Sequence, residues 1–363
     1  MTHLNELYLI LNKSLKWNKS HLKCFALIML VIILKQTCNL SSASKALPIK
    51  CLPQSFYRRM QRFFAGQYFD YRQISQLIFN MFSFDQVQLT LDRTNWKWGK
   101  RNINILMLAI VYRGIAIPIL WTLLNKRGNS DTKERIALIQ RFIAIFGKDR
   151  IVNVFADREF IGEQWFTWLI EQDINFCIRV KKNFIVTNHL GKNHKISDLF
   201  RHLKVGQIEC RKRRILVGRV KLYISALQLE NGELLLVVSP QFNANAIQDY
   251  ALRWEIEILF SCLKGRGFNL ENTRLTDPRR VKKLIAVLAI SFCWCYLTGE
   301  WQHNQKKAIK IKKHGRLSMS LFRYGLDYVQ MAIQRLIGFG KKEEFKEILA
   351  ILRKQNPDRI RVL

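Results

Sequence analysis

The sequence is short of acidic residues, with 27 Asp and Glu against 60 Lys and Arg in a chain of 363 residues. The formal net charge of +33 indicates a polyanionic partner, because each phosphate that Lys or Arg neutralises releases a bound counterion. Nucleic acid is the favoured interpretation, and a ribosomal or membrane-surface protein is the alternative that charge alone leaves open. Because 49% of the residues are apolar, the chain can bury a sizeable core, which argues against wholesale disorder.

Cysteine motifs and long apolar runs are also lacking. The eight cysteines form no CxxC pair and have no histidine at zinc-ligand spacing, so we interpret them as free thiols of a reducing cytosol. Two apolar runs, residues 24–34 and 284–297, are shorter than the roughly 20 residues that cross a bilayer. The first run also lacks the small-residue cleavage site of a signal peptide. These absences predict a cytoplasmic protein without a membrane partner, with both runs as buried helices.

Residues 1–80 have the pattern of a helical region. Within it, the segment SFYRRMQRFFAG (residues 55–66) predicts a basic helix that carries Arg58, Arg59 and Arg62. A small helical DNA-binding module would present these arginines to phosphates or groove edges. A basic amphipathic helix packed on the next domain is the alternative, and both interpretations stay open at this point.

From residue 84 the pattern changes to that of a mixed sheet flanked by helices. Residues 86–92 alternate between polar and apolar side chains, which predicts a half-buried strand with Asp92 at its polar end. The apolar segment Ile151–Ala156 predicts a buried strand that ends at Asp157. Residues 181–240 are basic and rich in strand-forming residues. The chain is therefore predicted to be α/β, with helical regions at both ends.

The sharpest local feature is YALRWEIEILFSCLK, residues 250–264. On a single α-helix, Tyr250, Arg253, Glu257 and Lys264 would fall within one arc of roughly 60°. A solvated polar face with a stabilising Arg253–Glu257 pair is the alternative for those two residues. It does not explain why Tyr250 and Lys264 keep to the same arc.

Glu257 needs further carboxylates before it can be part of a metal site. Asp92 and Asp157 are the candidates, because each is predicted at the exit of a strand in one sheet. Mg²⁺ prefers carboxylate oxygens, and two ions about 4 Å apart can activate an attacking oxygen and stabilise the leaving one. The alternative is that each Asp is a turn or cap residue.

The spacing Y-x2-R-x3-E-x6-K is met without deviation by residues 250, 253, 257 and 264. It resembles the YREK signature of the DDE transposases of bacterial insertion sequences, the insertion sequence 4 family. The segments LTLDRTNWKWG around Asp92, VNVFADREF around Asp157 and LKGRGFNLENTRLTDPRRVKKLIAVLAISFCWCY are similar to the same family. The similarity runs from about residue 25 to about residue 335.

This resemblance implies cut-and-paste DNA transposition, in which water and then the freed 3′-hydroxyl attack phosphodiesters at the transposon ends and the target. Asp92, Asp157 and Glu257 would be the catalytic residues and would bind two Mg²⁺ ions, for which Mn²⁺ can substitute. Tyr250, Arg253 and Lys264 would contact phosphates near the cleaved end. The implied partners are double-stranded DNA, as terminal inverted repeats and target, and a second copy of the chain in a homodimer. The implied location is the cytoplasm, at the nucleoid.

The resemblance also implies an RNase H-like catalytic domain interrupted by a β-rich insertion. The predicted parts are a helical DNA-binding region (1–80), the first part of the catalytic core (81–180), the insertion (181–245), the last part of the core with the Glu257 helix (246–300) and a basic helical region for dimerisation or DNA contact (301–363).

One departure concerns aromatic residues. Relatives with this signature open the DNA end as a hairpin and stack a flipped base on an aromatic residue of the insertion. All nine tryptophans lie outside residues 181–240, which leaves Phe184, Phe200 and Tyr223 as stacking candidates. Trp254 is interpreted as a packing residue. Two other protein classes remain: a catalytically inactive relative that only binds DNA, and a junction-cleaving nuclease of RNase H-like fold.

Overall fold

A computed structural model describes residues 2–46, 51–188, 190–313 and 315–353. The chain forms two compact units that each draw on separate stretches of sequence. The first unit consists of Met1–Phe84, Asn95–Ile103 and Leu259–Leu363, and the second of Asp85–Thr94 and Asn104–Ile258. Helices and one large sheet make the protein α/β, as the sequence predicts.

The elements of the described residues are as follows, in chain order. The helices are α1 (Thr2–Ser14), α2 (Lys19–Lys35), α3 (Leu40–Ala43), α4 (Pro53–Gly66), α5 (Tyr71–Phe82), α6 (Thr132–Phe146), α7 (Glu163–Glu171), α8 (Ala246–Ala251), α9 (Glu255–Leu263), α10 (Pro278–Gln305), α11 (Leu321–Phe339) and α12 (Glu343–Arg353). The strands are β1 (Val87–Trp98), β2 (Arg101–Tyr112), β3 (Ile115–Leu123), β4 (Ile151–Ala156), β5 (Phe176–Arg179), β6 (Ile185–Thr187), β7 (Asn193–Lys195), β8 (Ile208–Cys210), β9 (Ile215–Val217), β10 (Val220–Gln228) and β11 (Leu234–Ser239).

The first unit is helical, and α10 forms much of its core. Every residue of α10 from Leu284 to Glu300 is buried. By length and composition α10 could cross a membrane, but 89% of its most apolar window is buried inside the protein. Helices α1 and α2 meet the same criterion only as a pair, with a bend of 113° between them. The apolar run 284–297 is therefore a core helix, as predicted, and the eight cysteines are free thiols.

The second unit is built on the sheet, whose strand order is β3-β2-β1-β4-β5-β11-β10-β9-β6-β7, with β8 on β10. Strands β1, β4 and β5 pair in parallel, whereas β2–β3, β5–β11 and β10–β11 pair in antiparallel. Strand β3 lies at one edge, where its Pro118 can omit a ladder hydrogen bond. The strands of residues 181–240 thus extend the same sheet beyond β5.

The parallel pair β1–β4 forms the part of the sheet that matters for the site. Leu89 pairs with Val154 and Leu91 with Ala156, and all four side chains are fully buried. Strand β4 has the bounds that its apolar sequence predicts. This buried register places the residues that follow it on neighbouring strands at adjacent positions.

Two predicted elements differ from the structure. Strand β1 does not end at Asp92 but continues to Trp98, because Thr94 and Trp96 keep the alternation of buried side chains, at 8% and 7% exposed. The single α-helix expected for residues 250–264 is interrupted by a 3₁₀ turn at Leu252–Trp254.

The 3₁₀ turn has a physical reason in the burial of Arg253 and Glu255, at 3% and 7% exposed. On an α-helix, side chains two residues apart project about 160° apart, whereas in a 3₁₀ turn they are about 120° apart. The tighter turn therefore lets both charged side chains point into the protein.

Candidate active site

Two aspartates stand side by side where the buried part of the β1–β4 pair ends. Asp92 follows Leu91 and Asp157 follows Ala156, the last residues paired in the register. Neighbouring strands lie about 4.8 Å apart, so the sheet itself brings these two carboxylates together. Burial raises the pKa of Asp92 to about 7, against the opposing effect of the Arg253 guanidinium.

Arg253 connects Asp92 to Glu257. Its Nη1 lies 3.2 Å from Asp92 Oδ2, and its Nη2 lies 2.5 Å from Glu257 Oε1. The guanidinium is 3% exposed, whereas the Glu257 side chain is 44% exposed. The buried Nε of Arg253 has no hydrogen-bond partner among the described residues. This nitrogen is therefore an unsatisfied buried donor within the part of the chain that the structure describes.

Tyr250 connects to the remaining carboxylate. Its hydroxyl donates a hydrogen bond to Asp157 Oδ1 at 3.2 Å, and its ring is 2% exposed. Burial raises the pKa of Tyr250, so the phenol stays a neutral donor. Tyr250 and Arg253 thus contact all three carboxylates that the sequence singles out.

The donor types fit a divalent cation, because three carboxylates offer the hard oxygen ligands that Mg²⁺ prefers. As they stand, Asp92 and Glu257 are paired with Arg253. Within the described residues no three His, Cys, Asp or Glu side chains lie close enough to hold a metal ion. Asp92 and Glu257 therefore lie on either side of an arginine in this structure.

The comparison with protein families now decides the family. Residues 83–294, more than half of the chain and all five of these site residues, match the family model "Transposase DDE domain". The chain belongs to the transposase DDE domain family. Domains of this family generally use divalent metals.

Two other comparisons accompany this match. Among solved structures, the chain is similar to the piggyBac transposase synaptic complex with hairpin DNA, with a TM-score of 0.47 and 12% sequence identity. The alignment covers 98% of this chain and 84% of that chain. The comparison with curated proteins gives no match.

Lys264, the fourth residue of the predicted arc, lies after α9 in the first unit of this transposase DDE domain protein. Its ammonium pairs with Glu271 Oε1 at 2.7 Å and lies 5.9 Å from the centre of the Trp96 ring. The regular α-helix that defined the arc is interrupted by the 3₁₀ turn, so the angles of a regular α-helix do not apply to these four residues. Within the second unit, Tyr250, Arg253 and Glu257 nevertheless come together.

The three arginines of the predicted basic helix lie on α4. Arg58 and Arg62 are exposed, and Arg59 is half-buried, with its Nη2 donating to the Ser20 carbonyl at 3.2 Å. The phenylalanines of the same helix, Phe56, Phe63 and Phe64, are buried. Helix α4 therefore packs through its aromatic face and presents Arg58 and Arg62 to solvent.

Trp254 is 53% exposed, so its interpretation as a packing residue is wrong. The inward turn of its neighbours Arg253 and Glu255 points it outwards, and the Arg253 guanidinium lies 4.8 Å from the ring centre. Of the stacking candidates in residues 181–240, Phe200 is 1% exposed and cannot present a ring face. Tyr223 contacts Phe242, with ring centres 5.8 Å apart.

Glu255 is a buried structural side chain beside the site that the sequence interpretation missed. It is buried, its oxygens accept hydrogen bonds from the Tyr112 and Gly114 amides at 2.8 and 2.9 Å, and burial raises its pKa to about 7. Arg113, between these amides, has a φ of 49°, so the carboxylate holds a strained hairpin turn between β2 and β3. The signal was the pair of glutamates in WEIEI, where only one can face the site.

We expect Glu255→Ala to lower the free energy of unfolding by about 2 kcal/mol, because two part-buried hydrogen bonds from backbone amides lose their acceptor. Glu255→Gln keeps one acceptor oxygen and should lose about half as much. Urea denaturation followed by far-UV circular dichroism measures both. The exposed Glu230→Ala is the control and should stay within about 0.5 kcal/mol of wild type. An Ala variant as stable as the control would contradict the proposed role of Glu255.

Proposed function

We propose that this transposase DDE domain protein cleaves and joins DNA strands at the ends of a bacterial insertion sequence of the insertion sequence 4 family. In this proposal Asp92, Asp157 and Glu257 hold two Mg²⁺ ions. Tyr250, Arg253 and Lys264 form the YREK signature with Glu257. The substrate is double-stranded DNA, as terminal inverted repeats and target.

The observation that carries the proposal is the placement of the three carboxylates. Asp92 and Asp157 directly follow the register pair Leu91–Ala156, and Arg253 links Asp92 to Glu257. These residues are 65 and 100 positions apart in the sequence, between 92 and 157 and between 157 and 257. A turn or cap role for each Asp would not require that they meet beside a glutamate.

The residues of the chain have distinct roles in this chemistry. Bound divalent ions supply activation of the attacking oxygen and stabilisation of the leaving one. The three carboxylates hold and orient them, and Tyr250 keeps Asp157 in place through its hydroxyl. Arg253 and Lys264 bind phosphate oxygens, Arg253 as a planar fork and Lys264 as a point charge. No side chain is needed as a nucleophile, since water and then a 3′-hydroxyl attack.

The finer organisation is part of the same proposal. The core is RNase H-like, and residues 181–245 form an insertion whose strands join its sheet at β5. Residues 1–80 form a DNA-binding region, with Arg58, Arg59 and Arg62 as contacts, and residues 301–363 contribute DNA contacts and dimerisation. The protein acts as a homodimer at the bacterial nucleoid. The order of helices and strands along the chain supports the predicted division into these parts.

A relative that only binds DNA is the second candidate, and one observation favours it. Within the described residues no three ligands lie close enough to hold an ion, and Arg253 is paired with two of the carboxylates. In that case the carboxylates would serve only to anchor a DNA-binding arginine.

Incubation with a labelled duplex that carries the DNA flanking the protein's own gene separates the two candidates. We expect cleavage at the junction of the flanking DNA with the terminal inverted repeat in Mg²⁺ or Mn²⁺, and its loss on addition of a chelator. Binding of the duplex with no cleavage in either metal would favour the DNA-binding relative. Products that are the same with and without the chelator would contradict the metal-dependent mechanism.

A basic cluster beside the Ile311–Leu317 bridge is a candidate DNA contact of the C-terminal region. Ile311 bridges to Leu317, and Lys310, Lys312 and Lys313 are exposed around this bridge. No ion pair to a carboxylate occupies these three lysines within the described residues. Such a charge cluster fits a phosphate backbone.

We expect the triple change of Lys310, Lys312 and Lys313 to glutamine to weaken binding of any duplex DNA. Each lost phosphate contact should reduce the slope of log affinity against log salt by about 0.9. Fluorescence anisotropy over a salt series measures the slope. The control changes the exposed Lys341, Lys342 and Lys346 to glutamine. Equal slopes for the two triple variants would contradict a specific role for this basic cluster.

A further inference from the structure

Arg93 links the segments that carry Asp92 and Asp157. Its backbone N–H donates to Asp92 Oδ1 at 2.7 Å. Its guanidinium forms a two-pronged contact with Glu159, with Nε to Oε1 and Nη2 to Oε2 both at 3.1 Å. Glu159 lies two residues after Asp157. The Arg93–Glu159 side-chain pair thus connects the segment that follows Asp92 to the segment that follows Asp157.

This pair is one part of a hydrogen-bond network within the second unit. Arg93 also donates to Asn104 Oδ1 at 3.1 Å and to Asn129 Oδ1 at 3.2 Å. The Asn104 amide in turn donates to two carbonyls of the loop before α6, Lys126 and Gly128, at 3.1 and 3.0 Å. The N–H groups of Arg93 therefore donate to acceptors of the protein, unlike those of an arginine that binds DNA phosphates.

A second arginine holds the other side of the same turn. Arg135 of α6 is 4% exposed and donates to the carbonyls of Glu159 and Ile161 at 2.9 and 3.2 Å. It is itself held by Ser130, through the hydroxyl at 3.0 Å and the carbonyl at 2.6 Å. The turn after Asp157 is thus held at two places. Arg93 of β1 binds the Glu159 side chain, and Arg135 of α6 binds the Glu159 and Ile161 carbonyls.

The turn needs this support because β4 ends at Ala156. Asp92 lies within β1, which continues to Trp98, whereas Asp157 follows the last residue of β4. The Arg93 and Glu159 side chains are only 14% and 21% exposed, so water screens their attraction less than that of a surface pair. A two-pronged contact of this kind fixes the relative orientation of the two side chains in addition to the distance between them.

We propose that Arg93 and Glu159 are positioning residues that set the separation of Asp92 and Asp157 and thereby the affinity of the site for a divalent cation. This inference rests on the proposed function, because it takes the two aspartates as cation ligands. Neither Arg93 nor Glu159 touches the reacting groups. They act through the backbone of β1 and of the turn after β4.

Mn²⁺ binding to the full chain without DNA, followed by electron paramagnetic resonance, tests this role. Arg93→Gln and Glu159→Gln should each raise the Mn²⁺ dissociation constant by about 10- to 100-fold. Since the two residues act as one pair, the double variant should bind Mn²⁺ no more weakly than either single variant. Arg158→Gln is the matched control: Arg158 lies in the same turn but is exposed and pairs with Glu233, and its loss should change affinity less than twofold.

Two further measurements keep the outcomes separate. Far-UV circular dichroism and duplex binding in the presence of a chelator should be unchanged in the variants. If Glu159→Gln does not fold, Arg93→Lys, which keeps the charge and loses the fork, replaces it and should show the same weakened Mn²⁺ binding. Folded variants that bind Mn²⁺ like wild type, while Asp92→Asn does not, would overturn the positioning role and leave the proposed function intact. Wild-type binding that Asp92→Asn leaves unchanged would overturn both.

Discussion

Replacement of Glu257 by glutamine is expected to reduce cleavage of the flanking-DNA duplex by at least about 10³-fold. A bound divalent ion contributes several kcal/mol of transition-state stabilisation, and each 1.36 kcal/mol is about a factor of ten in rate. Glutamine keeps the size of the side chain but is a poorer ligand for a hard cation. The measurement is single-turnover cleavage with the protein in excess over the labelled duplex.

The structure also says what Glu257→Gln should leave unchanged. The Glu257 side chain is 44% exposed, so its replacement does not empty a buried space. We therefore expect the melting temperature to stay close to that of wild type. Glu171→Gln, an exposed glutamate at the end of α7, is the matched control and should cleave at the wild-type rate. If Glu257→Gln retained more than a tenth of the wild-type rate, Glu257 would not be a metal ligand.

Addition of a single methyl group at Gly325 is expected to destabilise the first unit by about 3 kcal/mol or more. A Cβ at Gly325 in α11 would lie 1.8 Å from the Cys295 carbonyl oxygen and 2.5 Å from the Gly299 amide nitrogen of α10. Both obstacles are backbone atoms, so no side-chain rotation relieves the clash and the helices must separate. Overpacking of this kind costs typically 1–3 kcal/mol and more where the backbone must shift.

Gly299 of α10 is under the same constraint, since a Cβ at this position would lie 1.9 Å from the Leu321 carbonyl oxygen of α11. Urea denaturation followed by far-UV circular dichroism should show a large loss for Gly325→Ala and for Gly299→Ala. Gly338 in α11 is the matched control, because nothing lies within 4 Å of its Cβ position. Alanine there should raise stability by up to about 1 kcal/mol. Gly325→Ala as stable as Gly338→Ala would show that α10 and α11 do not approach as described.

Local sequence predicted a good part of this structure where one signal dominated. The apolar run Ile151–Ala156 could only be a buried strand, and its polar successor Asp157 marked where it ends. The alternating pattern predicted where β1 begins, but it did not predict where β1 ends. Trp96 supports the continuation through burial, which depends on partners that local sequence does not name.

The site depended on contacts that no local pattern contains. The parallel pairing of β1 with β4, which places Asp92 beside Asp157, is a property of the sheet register. Periodicity predicted a continuous helix through Arg253, and it could not foresee that two charged residues two positions apart would both be buried. Glu255 was missed for the same reason. Its partners are backbone amides near residue 113, and amides carry no sequence signal.

The central claim is that Asp92, Asp157 and Glu257 together form one shared site for the divalent ions, and iron-directed cleavage of the protein tests it most directly. Fe²⁺ takes the place of Mg²⁺, and ascorbate with hydrogen peroxide generates radicals that cut the backbone near the bound ion. We expect cuts close to residues 92, 157 and 257 in the same sample, competed away by excess Mg²⁺ and absent in Asp92→Asn. Cuts near only one of these three positions, or cuts that Asp92→Asn leaves unchanged, would contradict a shared site.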